Sequence, residues 1–303
     1  MLTLLLATPG ILLADDGVAS AGESPILELV TIASYVLAPI SILVLWRTRF
    51  WRALNVDGVA LPTPWRLSAP AGVGLFVGSF LFGGIGASLA KAALSPDVDP
   101  LLGGALLNWG SVLGMAVAGV AAAILWKGAP RVEGGGPLVD LRSSMIMALI
   151  AAILVIPLVQ ASSSLGQFLQ ILLSGTTPSP LGHETLRLMA SSTDNAVAWW
   201  LVAGAAVLGA PVVEEIIYRG FLQQSARKVG VGPIWASIMI GGFFALMHLP
   251  ALPVDSRMAG LSGLLVFGTG LGLLRERTGR LDACILVHAV FNAFNLILAT
   301  AIG

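Results

Sequence analysis

Residues 196–219 read AVAWWLVAGAAVLGAPVVEEIIYR. Nothing charged occurs from Ala196 to Val213; two carboxylates then follow, and four residues after the second comes an arginine. About twenty apolar residues is the length of helix that crosses a bilayer core about 30 Å thick. The rest of the chain has the same character. Of its 303 residues, 56% are hydrophobic and 11% charged, where an average globular protein has roughly a quarter charged. Mean hydropathy is +0.91. A water-soluble domain has too little interior for that much apolar surface, so this is the sequence of an integral membrane protein, an all-α polytopic bundle.

Runs long enough to cross lie at about 26–46, 71–90, 105–126, 143–165, 195–217, 232–250, 258–274 and 281–302, which predicts eight helices. The basic residues test that count. Arg47, Arg49, Arg52 and Arg66 lie between helices one and two, and Lys127, Arg131 and Arg142 between three and four. Arg219, Arg227 and Lys228 follow helix five; Arg275, Arg277 and Arg280 follow helix seven. The opposite side has only Lys91, Arg187 and Arg257. Positive charge concentrates on cytosolic connections, so this asymmetry predicts both termini outside, in a plasma (inner) membrane.

The chain divides into an N-terminal segment 1–24, membrane helices over 25–190, and a polar-bearing membrane core over 195–302. The first segment ends near Ala19-Ser20-Ala21, a small-residue pattern like a signal-peptidase site, but its start carries no basic side chain. It reads either as a cleaved signal peptide or as an outside segment lying against the membrane. Gly134 to Pro137 reads as a cytosolic linker, Thr176 to Pro180 as an outside loop, and His183 with Glu184 as surface residues of that loop. Glycine pairs four apart, Gly74/Gly78, Gly110/Gly114 and Gly268/Gly272, predict close helix packing. Sixteen basic residues balance sixteen acidic ones, so no nucleic-acid footprint is present. The lone Cys284 excludes an intrachain disulfide framework and reads as a core residue.

Ionisable side chains are costly in lipid and mark a function or a partner. They crowd into the C-terminal half: Glu214, Glu215, Arg219, His248 and His288, with the amides Asn292 and Asn295. Glu215 and Arg219 have the spacing and order of a helical ion pair. Glu214 lies about 100° round the helix and lacks that partner, the setting of a general base. Phe244 and His248 share a helical face. His288, Asn292 and Asn295 share another, and a histidine with an amide can donate hydrogen bonds to a carbonyl oxygen that gains charge. The plainer reading of either asparagine is an interhelical hydrogen-bond clamp. One acid, two imidazoles and an amide suit the activation of water against a peptide bond, whereas His-Glu-x-x-His is absent.

In that order, Glu214-Glu215-x-x-x-Arg219, Phe244-x-x-x-His248 and His288-x-x-x-Asn292 resemble the three motifs of the CPBP family, intramembrane proteases that include the type II CAAX prenyl endopeptidases and bacteriocin-processing (Abi-like) proteins. The resemblance covers about 195–302. It implies an intramembrane endopeptidase whose substrate is a peptide or membrane protein at the lipid bilayer, either prenylated and CAAX-like or simply membrane-associated and unprenylated. By matching position, Glu214 and His248 activate water, His288 and Asn292 form the oxyanion pocket, and Glu215 and Arg219 support the motif helix. Zn2+ held by Glu214, His248 and His288, with water in a fourth position, and a metal-free Glu–His pair suit these residue types equally.

Antiparallel helices with these boundaries put Glu214 and His248 roughly 20 Å apart in depth. One site then requires an irregularity in helix five or six, and Pro211, Gly220 and Gly230 to Pro233 are the candidate positions. Two rival readings are a proton-coupled transporter and a non-catalytic membrane scaffold or bacteriocin-immunity protein. Transporters tend to repeat their broken segments in two halves, whereas here the ionisable groups occupy one.

Overall fold

The computed structural model describes residues 25–48, 68–127, 140–175, 189 and 195–302. It is all-helical, with no strand among the described residues. Among the described residues the eight long helices are α1 (Pro25–Arg47), α2 (Ala69–Ala93), α3 (Pro100–Lys127), α4 (Leu141–Ser174), α5 (Ala196–Lys228), α6 (Pro233–Met247), α7 (Arg257–Thr278) and α8 (Leu281–Ile302). Seven are long and apolar enough to cross a membrane; α6, with 15 residues, is the short one. The chain is therefore a multi-pass membrane protein. The segment 1–24, the linker 134–137, the loop 176–180, His183 and Glu184 lie outside the described residues.

Local chemistry sets the helix ends. Ser68 accepts a hydrogen bond from the Ala71 N–H to start α2, and Asp140 accepts one from Ser143 to start α4. Gly175 and Gly279 close α4 and α7 in the left-handed conformation. Large apolar side chains such as Leu29, Leu89, Leu113 and Ile153 remain exposed, as a lipid-facing surface requires. Trp46, Trp200 and Trp235, near helix ends, are also exposed, where amphipathic rings sit at headgroup level.

α2 packs on α3, and α4 runs along α7 while also meeting α1 and α8; α6 lies on α7. Small residues permit two of these contacts. A Cβ on Gly110 would fall 2.6 Å from the Gly86 carbonyl oxygen between α2 and α3, and one on Gly268 would fall 2.8 Å from the Gly241 Cα between α6 and α7. Gly114 and Gly272 pack as tightly, but Gly74 and Gly78 face open space, so that pair does not join helices.

α5 departs most from the hydropathy boundaries. It continues to Lys228 instead of stopping near 217. Its polar continuation is buried in protein: Gln223 donates to the Gly272 carbonyl and to Glu276, and Arg227 pairs with Glu276 at 3.2 Å. Glu214 thus stands 14 residues before the end of α5, and His248 15 residues after the start of α6. At 1.5 Å per residue each lies about 21–23 Å along its helix from the intervening turn, so the longer α5 removes the reason for the expected 20 Å offset. The expected irregularity is present as well. α5 widens into π-helical stretches at Ala205–Gly209, just before Pro211, and at Ile216–Leu222, which includes Gly220. Such widenings are rare and frequently mark functional sites.

Candidate active site

Glu214 and Glu215 end the short α-helical segment between the two widenings of α5. Glu215 is fully buried, and one oxygen serves two partners. Oε1 accepts from Arg219 Nη1 at 3.0 Å and from His288 Nδ1 at 2.8 Å. Arg219, also fully buried, sends Nη2 to the Gly268 carbonyl at 2.9 Å and lays its guanidinium 5.0 Å from the Phe244 ring centre. The helical pair expected from spacing is there. Its second role, holding His288 across 73 positions of sequence, left no local signal.

Glu214 differs from its neighbour. Its side chain keeps 20% exposure, and its Oε2 lies 3.8 Å from His288 Nε2. That is too long for a hydrogen bond, and the oxygen has no other partner among the described residues. With Nδ1 of His288 donating to Glu215, Nε2 faces Glu214 across a gap.

His248 caps α6, and its Nδ1 lies 2.7 Å from the Phe244 carbonyl oxygen. A carbonyl only accepts, so Nδ1 is the donor in this bond and Nε2 is left outside it. The Phe244 ring touches both imidazoles, at 4.4 Å from His248 and 5.9 Å edge-on to His288. The two histidines, from α6 and α8, thus meet the same aromatic ring. Phe244 and His248 meet, as their shared helical face predicts, with rings tilted by 47°; the second contact, from α8, was not legible. Phe267 also meets His288 edge-on at 5.2 Å.

Asn292 follows His288 by one turn on α8 and donates from Nδ2 to the Ala206 carbonyl of α5 at 2.7 Å. It is an interhelical clamp, as the plainer reading predicts. Among the described residues Asn295 is not: it donates to the Phe291 carbonyl on its own helix at 3.0 Å. Cys284 is fully buried, as expected of a core residue.

The fit of a metal depends on the donors present. Tetrahedral zinc takes three protein ligands at about 2.0–2.2 Å each in catalytic sites. Among the described residues, no three His, Cys, Asp or Glu side chains gather closely enough to hold one. Glu214, His248 and His288 therefore do not form a ready-made metal centre.

The relatives of the chain lie over this same half. Residues 196–294 match the family model described as Type II CAAX prenyl endopeptidase Rce1-like. The uncharacterized protein YyaK of Bacillus subtilis (strain 168) is 30% identical over 100 residues, 31% of this chain and 33% of that protein. The chain thus spans about one third of the length of the curated relative it matches. No solved structure matches it. The paired acids, both imidazoles and Asn292 all fall within the matched residues, so this part of the chain is similar to the type II CAAX prenyl endopeptidases.

Proposed function

We propose that the chain is an intramembrane endopeptidase that cuts membrane-held peptides, prenylated or CAAX-like, with water activated by Glu214. One observation carries this reading: Glu214 Oε2 is buried without a hydrogen-bond partner and faces His288 Nε2 across 3.8 Å, while the other nitrogen of His288 is held by Glu215. An unpartnered carboxylate oxygen in an apolar bundle is costly unless a reacting molecule satisfies it. Water placed there donates one proton to Glu214. The lone pair on His248 Nε2 accepts a hydrogen bond from the other proton, which orients the attacking oxygen.

As water adds to the peptide carbon, its proton passes to Glu214 and negative charge appears on the carbonyl oxygen. Asn292 and His288 Nε2 donate to that oxygen. Donation from Nε2 requires a proton on each ring nitrogen of His288. That state leaves Glu214, Glu215, Arg219 and His288 together neutral, and transfer from water moves one negative charge from Glu214 to the oxyanion with the total unchanged. Glu214 then delivers its proton to the departing amine. His248 ends α6 beside exposed Leu246 and Met247, so its apolar approach suits a substrate held in the bilayer.

The test is cleavage of a peptide library by the detergent-purified chain and by Glu214→Gln at matched melting temperature. Loss of general-base action lowers kcat by about 10²–10⁴. A folded Glu214→Gln protein that cuts at the wild-type rate overturns the reading. Glu214-dependent proton flux in liposomes without cleavage assigns the site to transport instead.

A further inference from the structure

Pro211 lies in the buried wall of α5, three residues before Glu214, and stands outside the mechanism above. In the widened stretch Ala205–Gly209, hydrogen bonds reach back five residues, and the Ala210 N–H donates to the Ala205 carbonyl. The next rung would run from the N–H of residue 211 to the Ala206 carbonyl. Proline has no N–H, and its ring crowds the carbonyl four residues back, a clash that helix widening relieves. The Ala206 carbonyl would then stand orphaned at membrane depth, where an unsatisfied backbone group is expensive. Asn292 Nδ2 occupies that place, donating at 2.7 Å.

We propose that Pro211 is a positioning residue: by withholding an N–H it reserves the Ala206 carbonyl for Asn292 and so aims the second N–H of the Asn292 amide. This rests on the reading of Asn292 as an oxyanion donor. A side-chain amide is planar and its two N–H bonds diverge by about 120°, so fixing one toward Ala206 fixes the direction of the other. Asn292 shares the face of α8 that presents His288 one turn earlier, so both donors reach the site from one rigid helix. The missing rung of α5 is thereby converted into alignment of a side chain on α8.

A double-mutant cycle on the whole detergent-solubilised chain tests this, using Pro211→Ala, Asn292→Ala and both together, with kcat, KM and melting temperature measured for each. Alanine restores the N–H, which takes the Ala206 carbonyl and releases Asn292. The expected result for Pro211→Ala is kcat lowered about tenfold or more, KM nearly unchanged, and a melting temperature held or raised, because α5 gains a hydrogen bond. Asn292→Ala lowers kcat by about 10²–10³, the usual loss for an oxyanion donor, and the double variant is no slower than Asn292→Ala. Wild-type kcat in a folded Pro211→Ala protein, or losses that multiply in the double variant, overturn the inference. Pro211→Val restores the same N–H with a bulkier side chain and replaces alanine if that variant does not fold. Failure here leaves Glu214→Gln and Asn292→Ala impaired; failure of the hydrolytic reading leaves both at the wild-type rate.

Discussion

Glu215 and His288, on α5 and α8, are joined by a 2.8 Å hydrogen bond between Oε1 and Nδ1, and the same oxygen takes the buried Arg219. The supporting acid of the pair is thus the one that orients the imidazole, while the partly exposed Glu214 is left with an open oxygen. Adjacent carboxylates acquire opposite duties because successive residues point about 100° apart on a helix, one into the bundle and one toward the gap.

Replacing Glu215 by alanine should be severe. Arg219 would keep its charge in a fully buried position with only the Gly268 carbonyl and an aromatic face for company. Removing one partner of a buried ion pair costs about 3–5 kcal/mol. Glu215→Gln retains an oxygen of the same shape and should cost less, yet it weakens the hold on His288. Loss of such an orienting partner lowers activity by about 10–100-fold in comparable sites. Melting curves in detergent and kcat at equal folded fraction measure both effects. A Glu215→Ala protein of wild-type stability would show that the pair does not support α5.

Hydropathy read along the chain finds the helices, because transfer from water to lipid is what it measures. It ends α5 too early for the same reason. Gln223, Gln224 and Arg227 look like a water-facing exit, but they are covered by protein rather than lipid or water, with Gln223 and Arg227 bonded to α7. The motif residues were equally visible from spacing, since Glu215/Arg219 and Phe244/His248 each lie one helical turn apart. What joins the motifs was not. Glu215 to His288 and Ala206 to Asn292 are contacts between α5 and α8, and one sequence carries no record of which distant turns meet. That Glu214 and His248 need not be offset in depth follows only once the true end of α5 is known.

The glycine pairs divide into two kinds, and substitution should separate them. A Cβ at position 241 would sit 2.5 Å from the Thr269 backbone nitrogen and 2.9 Å from the Gly268 carbonyl carbon. Backbone atoms of a packed helix do not yield, so Gly241→Ala must push α6 from α7, at the cost of about 1–3 kcal/mol typical of overpacking. The Gly268 carbonyl would move with it and loosen Arg219. Gly74→Ala meets nothing within 4 Å and should change stability by less than about 0.5 kcal/mol. Melting temperatures of the two variants in one detergent decide the matter, and equal losses would refute the distinction.

The donor set around Glu214 also predicts the response to chelators. Two ligands about 2.0–2.2 Å from one zinc in tetrahedral array stand about 3.3–3.6 Å from each other. Glu214 Oε2 and His288 Nε2, at 3.8 Å, come near that spacing, but no third His, Cys, Asp or Glu joins them among the described residues. His248 has its ring tied to its own helix through Nδ1, 2.7 Å from the Phe244 carbonyl oxygen. Prolonged exposure to a strong chelator should therefore leave the rate of peptide cleavage within about twofold, since no bound ion is needed to assemble the site. The same preparation should contain far less than one zinc per chain. Collapse of the rate on chelation, with recovery on adding zinc alone, would mean that His248 turns from Phe244 to complete a metal centre, and that the water is activated by an ion rather than by Glu214.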